Sequence, residues 1–106
     1  MNQKEEFKKA KEFYNNCYET LVKKAHDYAQ NNDCFSNFKK IATITEVPLE
    51  KVFLIFMTVK IARLVELCKK QTTKVGESAI DSLSDIANYA CLMSLYLKEG
   101  ENNELR

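Results

Sequence analysis

The sequence predicts an all-α fold: a four-helix, homo-oligomeric bundle with a long first helix, a short second one and two long apolar helices. Three observations carry that expectation. Apolar residues recur at helical spacing along the long segments. Two glycines and one proline are too little turn chemistry for a β-rich chain. One segment, Val52 to Leu67, is apolar on nearly every side, and a helix of that kind is buried all round. The other helices of one small chain cannot surround it, so a second subunit is expected to cover one face.

The first helix is expected from about Gln3 to Ala29. Phe7, Ala10, Phe13, Cys17, Leu21 and Ala25 recur on one side, with lysines and glutamates on the other. At 1.5 Å per residue it is a rod of about 40 Å. QNND follows as a loop, and Ser36 is placed to cap a short helix through about Ile44. TITEV is a break. Pro48 suits the first turn of the third helix, Leu49 to about Gln71, where its missing N–H costs nothing. TTKVG turns the chain into a fourth helix, from about Glu77 to Lys98. The domain is therefore residues 1–98, with 99–106 a flexible tail ending in GENNELR. No repeat or low-complexity tract interrupts it.

Composition excludes several classes. Sixteen basic and fifteen acidic residues leave a net charge of +1, so no global field invites a nucleic-acid duplex or an anionic membrane. The longest apolar run, VFLIFMTV, is cut off by Lys60 and is too short to span a bilayer. Cys17, Cys34, Cys68 and Cys91 have no zinc-ligand spacing, and His26 is the single histidine. Three of these cysteines fall within helical patterns, where a thiol behaves as a small apolar group. Reduced thiols and a cytoplasmic location are expected. MNQKEEFKKAKE lacks the features of a signal peptide.

Polar residues that interrupt apolar helices are the candidate site. Lys60 and Arg63 share a face of the third helix, and Asp81 and Asp85 share a face of the fourth. The connection between the two helices is short, so they should run antiparallel, with two cations opposite two anions. One reading is a partly buried ion-pair network that holds register and binds nothing. The other is a polar pocket in which Lys60 and Arg63 hold phosphate oxygens. There Asp81 and Asp85 receive donors from a sugar or base, or bind magnesium together with Glu66 or Glu77.

A second cluster, HDYAQNNDCFSNF, places His26, Tyr28, Asn37 and Phe38 around a loop between helices. Their plain readings are core packing for Phe38, a hydrogen-bonded surface histidine, and a turn or cap for Asn37. An aromatic ring beside a carboxamide is also how proteins stack and read a nucleobase. Asn88 and Tyr89 carry the same two readings on the last helix. No nucleophile–base pair is legible, so no catalytic residue is assigned.

DYAQNNDCFSNFKKIA, MTVKIARL and SAIDSLSDIANYACLM, in that order, resemble the phage-associated nucleotide-modification-associated domain 1 family, itself similar to the all-α MazG-like nucleotide pyrophosphohydrolases. The likeness covers about residues 22 to 97. The family pattern carries over to Asp27, Tyr28, Ala29, Asn37 and Phe38, to Lys60, Arg63 and Leu64, and to Asp81, Asp85, Asn88 and Tyr89. It implies a helical bundle and a nucleotide ligand. MazG-like hydrolases hold magnesium on an E-x-x-E helix followed by an E-x-x-D helix. Here the first acidic pair is replaced by Lys60 and Arg63, which turns a metal cage into a direct phosphate grip.

Two functions follow as expectations. The first is a non-catalytic nucleotide-binding protein that needs no cofactor. In its sharpest form this is a phage counter-defence sponge that sequesters a cyclic or oligonucleotide immune signal in the host cytosol. The second is a magnesium-dependent nucleoside triphosphate pyrophosphohydrolase, or a nucleotide-modification accessory protein, with the metal on Glu66, Asp81 and Asp85.

Overall fold

A computed structural model describes residues 2–28, 33–70 and 75–104 of the chain. Four helices account for nearly all of them: α1 (Gln3–Tyr28), α2 (Ser36–Thr45), α3 (Leu49–Cys68) and α4 (Val75–Glu104). Among the described residues no helix is long and apolar enough to cross a membrane. The four cysteines are free thiols.

The helix ends follow local chemistry. α3 ends at Cys68, short of the expected Gln71, α4 begins at Val75, before the expected Glu77, and two further ends differ more instructively. Ser36 is the first residue of α2 and not its cap. Phe35 holds the cap position without a side-chain bond. Asp33 does the capping work: its carboxylate accepts the Phe35 N–H at 2.9 Å and its carbonyl accepts the Ser36 N–H at 3.1 Å. Lys39 pairs with the same carboxylate at 2.7 Å. That hydrogen bond and the Phe35 N–H hold the Asp33 carboxyl below the usual carboxylate range, against a small opposing effect of burial. At the other end of α2, Glu46 sits in the left-handed region (φ 57°, ψ 36°), a C-terminal stop more often made by glycine.

Pro48 stands immediately before α3, and its carbonyl receives the N–H groups of Lys51 and Val52. The second difference is the length of α4. It runs to Glu104 rather than stopping near Lys98. Gly100 lies inside it, and no described glycine has a positive φ, so the helix passes through that position.

α3 and α4 form the principal pair. Phe53 meets Tyr96, Phe56 meets Tyr89, and Lys60 meets Asp85, so numbers rise on one helix as they fall on the other. The two are antiparallel. α2 packs on α3, and α1 reaches α4 around Cys17 and Lys24. The core is small: Phe35, Phe38, Val52, Phe53 and Leu92, ringed by Phe56, Tyr89 and Tyr96. Phe53 is fully buried, with Phe38 at 4.8 Å and Phe35 at 6.2 Å between ring centroids.

Much apolar surface stays outside this core. On α3, Leu54, Ile55, Val59, Ile61 and Val65 are each about half exposed, and on α1 Phe7, Tyr14 and Tyr18 are about two-thirds exposed. The radius of gyration is 16.2 Å, against about 13 Å for a compact domain of this length. The expected all-round burial of α3 is thus half met within one chain: Val52 and Phe53 are enclosed, and the opposite face is open.

Candidate functional site

α1, α2 and α4 enclose a pocket of about 340 Å³ that reaches in as far as Phe56 on α3. Its wall is mainly apolar: Leu21, Ala25, Phe38, Phe56, Tyr89 and Leu92. Its polar groups are few and come from three helices: Lys24 from α1, Ser36 and Asn37 from α2, and Asp85 and Asn88 from α4. A mostly apolar concavity with a few convergent polar groups is the usual form of a small-molecule site.

Each polar group has a distinct state. Asp85 is the electrostatic centre. Lys24 Nζ lies 3.1 Å from Oδ1 and Lys60 Nζ lies 3.0 Å from Oδ2, so each carboxylate oxygen holds its own lysine. Burial pushes the Asp85 carboxyl up, but hydrogen bonds from Lys60 and Lys24, with their charges, outweigh it and hold it below its ordinary range. Two lysines and one carboxylate leave one net positive charge. Asn88 is buried, and its Nδ2 donates to the Cys17 carbonyl at 3.1 Å. That carbonyl belongs to α1, so the bond ties α1 to α4 beside the pocket. The Cys17 thiol meets the Ser84 hydroxyl at 3.3 Å on the same seam. Asn37 is exposed, and its carboxamide makes no hydrogen bond to a described residue. Phe38 and Phe56 each pack against Tyr89, at 6.1 and 5.5 Å between ring centroids.

The structure brings together five of the sequence-predicted residues on this wall: Asn37, Phe38, Asp85, Asn88 and Tyr89. Lys60 joins them through Asp85. The expected quartet of two cations facing two anions is not formed. Arg63 is exposed and pairs with no described residue, and Asp81 is exposed one turn before Asp85. Three residues along a helix turn the side chain by about 60°, enough to move Arg63 off the edge that Lys60 occupies. The second cation is Lys24, which sequence reasoning missed. It sits in the run LVKKAHD, where adjacent lysines look like a solvated face, and only the crossing of α1 over α4 singles it out. His26 and Asp27 are exposed and do not line the pocket. The side chains of Tyr28 and Glu77, and the whole of Ala29, lie outside the described residues.

The described side chains do not fit a magnesium cage. Both Asp85 oxygens are occupied by lysines, Glu66 is exposed and bonded to Lys69 at 3.1 Å, and Asp81 is exposed. Among the described residues no three acidic, histidine or cysteine side chains gather as a metal set. Cys34 lines the pocket, but partial desolvation and the Asp33 carboxylate push its thiol up, the opposite of what a nucleophile needs.

A family model described as nucleotide modification associated domain 1 matches residues 24–97. The match begins at Lys24 and includes every pocket residue named above except Leu21. No curated protein and no solved structure matches the chain.

Proposed function

The chain belongs to the nucleotide modification associated domain 1 family, and from that membership and the pocket together we propose that it binds a nucleotide without cleaving it. One observation carries the proposal: an aromatic-walled pocket holds an unspent carboxamide, Asn37, and a solvent-reaching lysine, Lys24, on different helices. Rings and a carboxamide suit a base, and an ammonium suits a phosphate. The binding reading is favoured over hydrolysis because Asp85, the best-placed carboxylate, already has a lysine on each oxygen. Phosphoryl chemistry needs positioned charge and an oriented attacking water, and among the described residues the pocket wall has no carboxylate free of a lysine to orient one.

The finer form of the proposal has two parts. The protein is a phage-encoded sponge, MazG-like in ancestry, that sequesters a cyclic or oligonucleotide immune signal. It works as a homo-oligomer, in which a second copy covers the outer face of α3. Support for the oligomer comes from a shallow groove lined by Val47, Leu54, Ile55, Val59 and Ala62, next to the half-exposed Ile61 and Val65. An exposed apolar surface of that extent is what subunit contacts cover.

Mass spectrometry of nucleotides released by heating the purified protein tests the binding reading. An intact nucleotide, recovered again after incubation with magnesium, is the expected result. Magnesium-dependent release of phosphate or pyrophosphate, lost in Asp85→Asn, would replace this reading with the hydrolase.

A further inference from the structure

The charge around Asp85 restricts which nucleotide can enter. Lys60 is the more enclosed lysine, with 30% of its side chain exposed, and it does not line the pocket. Lys24 does line it, and 52% of its side chain is in solvent. Its flexible stem can leave Asp85 for a phosphate oxygen while Lys60 stays behind as the counter-ion of the carboxylate. A phosphate that meets Lys24 then lies against the pocket-facing side of the Asp85–Lys60 pair, which presents the carboxylate because Lys60 does not line the pocket. One phosphate group gains the ammonium. Each added phosphate meets the carboxylate with no further cation among the described residues of the pocket wall to offset it. Size points the same way. A volume of about 340 Å³ is at the small end of the range, roughly 300–1,000 Å³, in which proteins hold compact ligands, with room for one nucleotide unit.

Resting on the nucleotide-binding reading, we propose that the pocket takes a nucleoside unit bearing a single phosphate group, that Lys24 is its phosphate contact, and that Asp85 excludes polyphosphates. The group is either a terminal monophosphate or one diester link of a cyclic or linear oligonucleotide. Asn37, with two donors and an acceptor unspent, faces the same pocket as the reader of the base edge.

Calorimetry in EDTA distinguishes these sources. The probes are a nucleoside, its 5′-monophosphate, its 3′,5′-cyclic monophosphate and its 5′-triphosphate, for each of the common bases. For at least one base, a one-phosphate form should bind about tenfold or more tighter than the nucleoside and tighter than the triphosphate. Tighter binding of the cyclic form points to a diester ligand, and tighter binding of the 5′-monophosphate to a terminal phosphate. Lys24→Ala, a change at an exposed position, should bring the nucleotide down to the affinity of its nucleoside. Asp85→Asn should strengthen triphosphate binding about tenfold. A triphosphate that binds the wild type most tightly, or a Lys24→Ala variant with unchanged preference, overturns the inference and leaves nucleotide binding standing. Failure of every probe overturns the inference, and the heat-release experiment decides separately whether nucleotide binding survives it.

Discussion

The two faces of α3 are built from the same kind of residue and meet opposite fates. Val52, Phe53 and Phe56 face α2 and α4 and form the core. Leu54, Ile55, Val59, Ile61 and Val65 lie on the other side, half in solvent. The inner face is fixed by aromatic neighbours from α2, its cap residue Phe35 and α4; the outer face has only a shallow groove. Apolar composition therefore does not distinguish a residue that folds this chain from one that recruits a partner. The elements around it do.

The largest effect that sharpens this comparison is Phe53→Ala. Phe53 is fully enclosed, so truncation should cost about 3–5 kcal/mol and leave little folded protein, as read by urea denaturation. The outer face should respond differently. Leu54→Glu combined with Val59→Lys should leave helicity intact but reduce the mass seen by light scattering to that of one chain. A wild-type mass of 12.3 kDa at micromolar concentration would remove the case for a subunit on that face.

The seam between α1 and α4 gives the next effect. Asn88→Ala removes the donor that ties α4 to the Cys17 carbonyl of α1; that carbonyl keeps its own intrahelical partner, so the loss should cost about 1 kcal/mol. Loss of helicity without cooperative unfolding would show instead that α1 is not held by this bond.

How much of this was legible in the sequence depends on what fixed each feature. Helix identity was legible because it follows from local periodicity; Asn37, Phe38, Asp85, Asn88 and Tyr89 were each legible as candidates, but in separate clusters, and only the fold puts them on one wall. The partner of Asp85 was only half legible. Lys60 follows from the antiparallel hairpin of α3 and α4, whose register a short connection constrains. Lys24 depends on where α1 crosses α4, which no local rule specifies. The ends of α2 and α4 escaped for smaller reasons. Asp33, three residues before Ser36, supplies the capping bonds, and Gly100 keeps a negative φ that continues the helix.

Asp85 and Asp81, one helical turn apart, repeat the contrast on a smaller scale. Asp85→Asn should cost about 1 kcal/mol near neutral pH, an amount reduced by solvent around Lys24. The carboxyl is held below its ordinary 3.8 in the folded chain. Its stabilisation is therefore present above that value and is lost as pH falls through the lower folded value. Wild type and Asp85→Asn should converge in urea midpoint as pH drops below about 4. Asp33, also depressed, titrates in both proteins and cancels from the difference.

Asp81→Asn should be the smallest change. Asp81 is exposed, and no described residue pairs with it. Exposed substitutions of this kind usually fall within about 0.5 kcal/mol of neutral. The sign should be slightly stabilising, because like charges four apart on a helix repel by a few tenths of a kcal/mol and Asp85 remains ionised. Binding of a one-phosphate nucleotide should be unchanged, since Asp81 does not line the pocket. A loss of stability above about 1 kcal/mol, or of ligand affinity, would mean that Asp81 works beside Asp85 after all. The acidic face of α4 would then have to be treated as one site of two carboxylates, and the poor fit to magnesium, which counts Asp81 as exposed and apart from Asp85, would no longer hold.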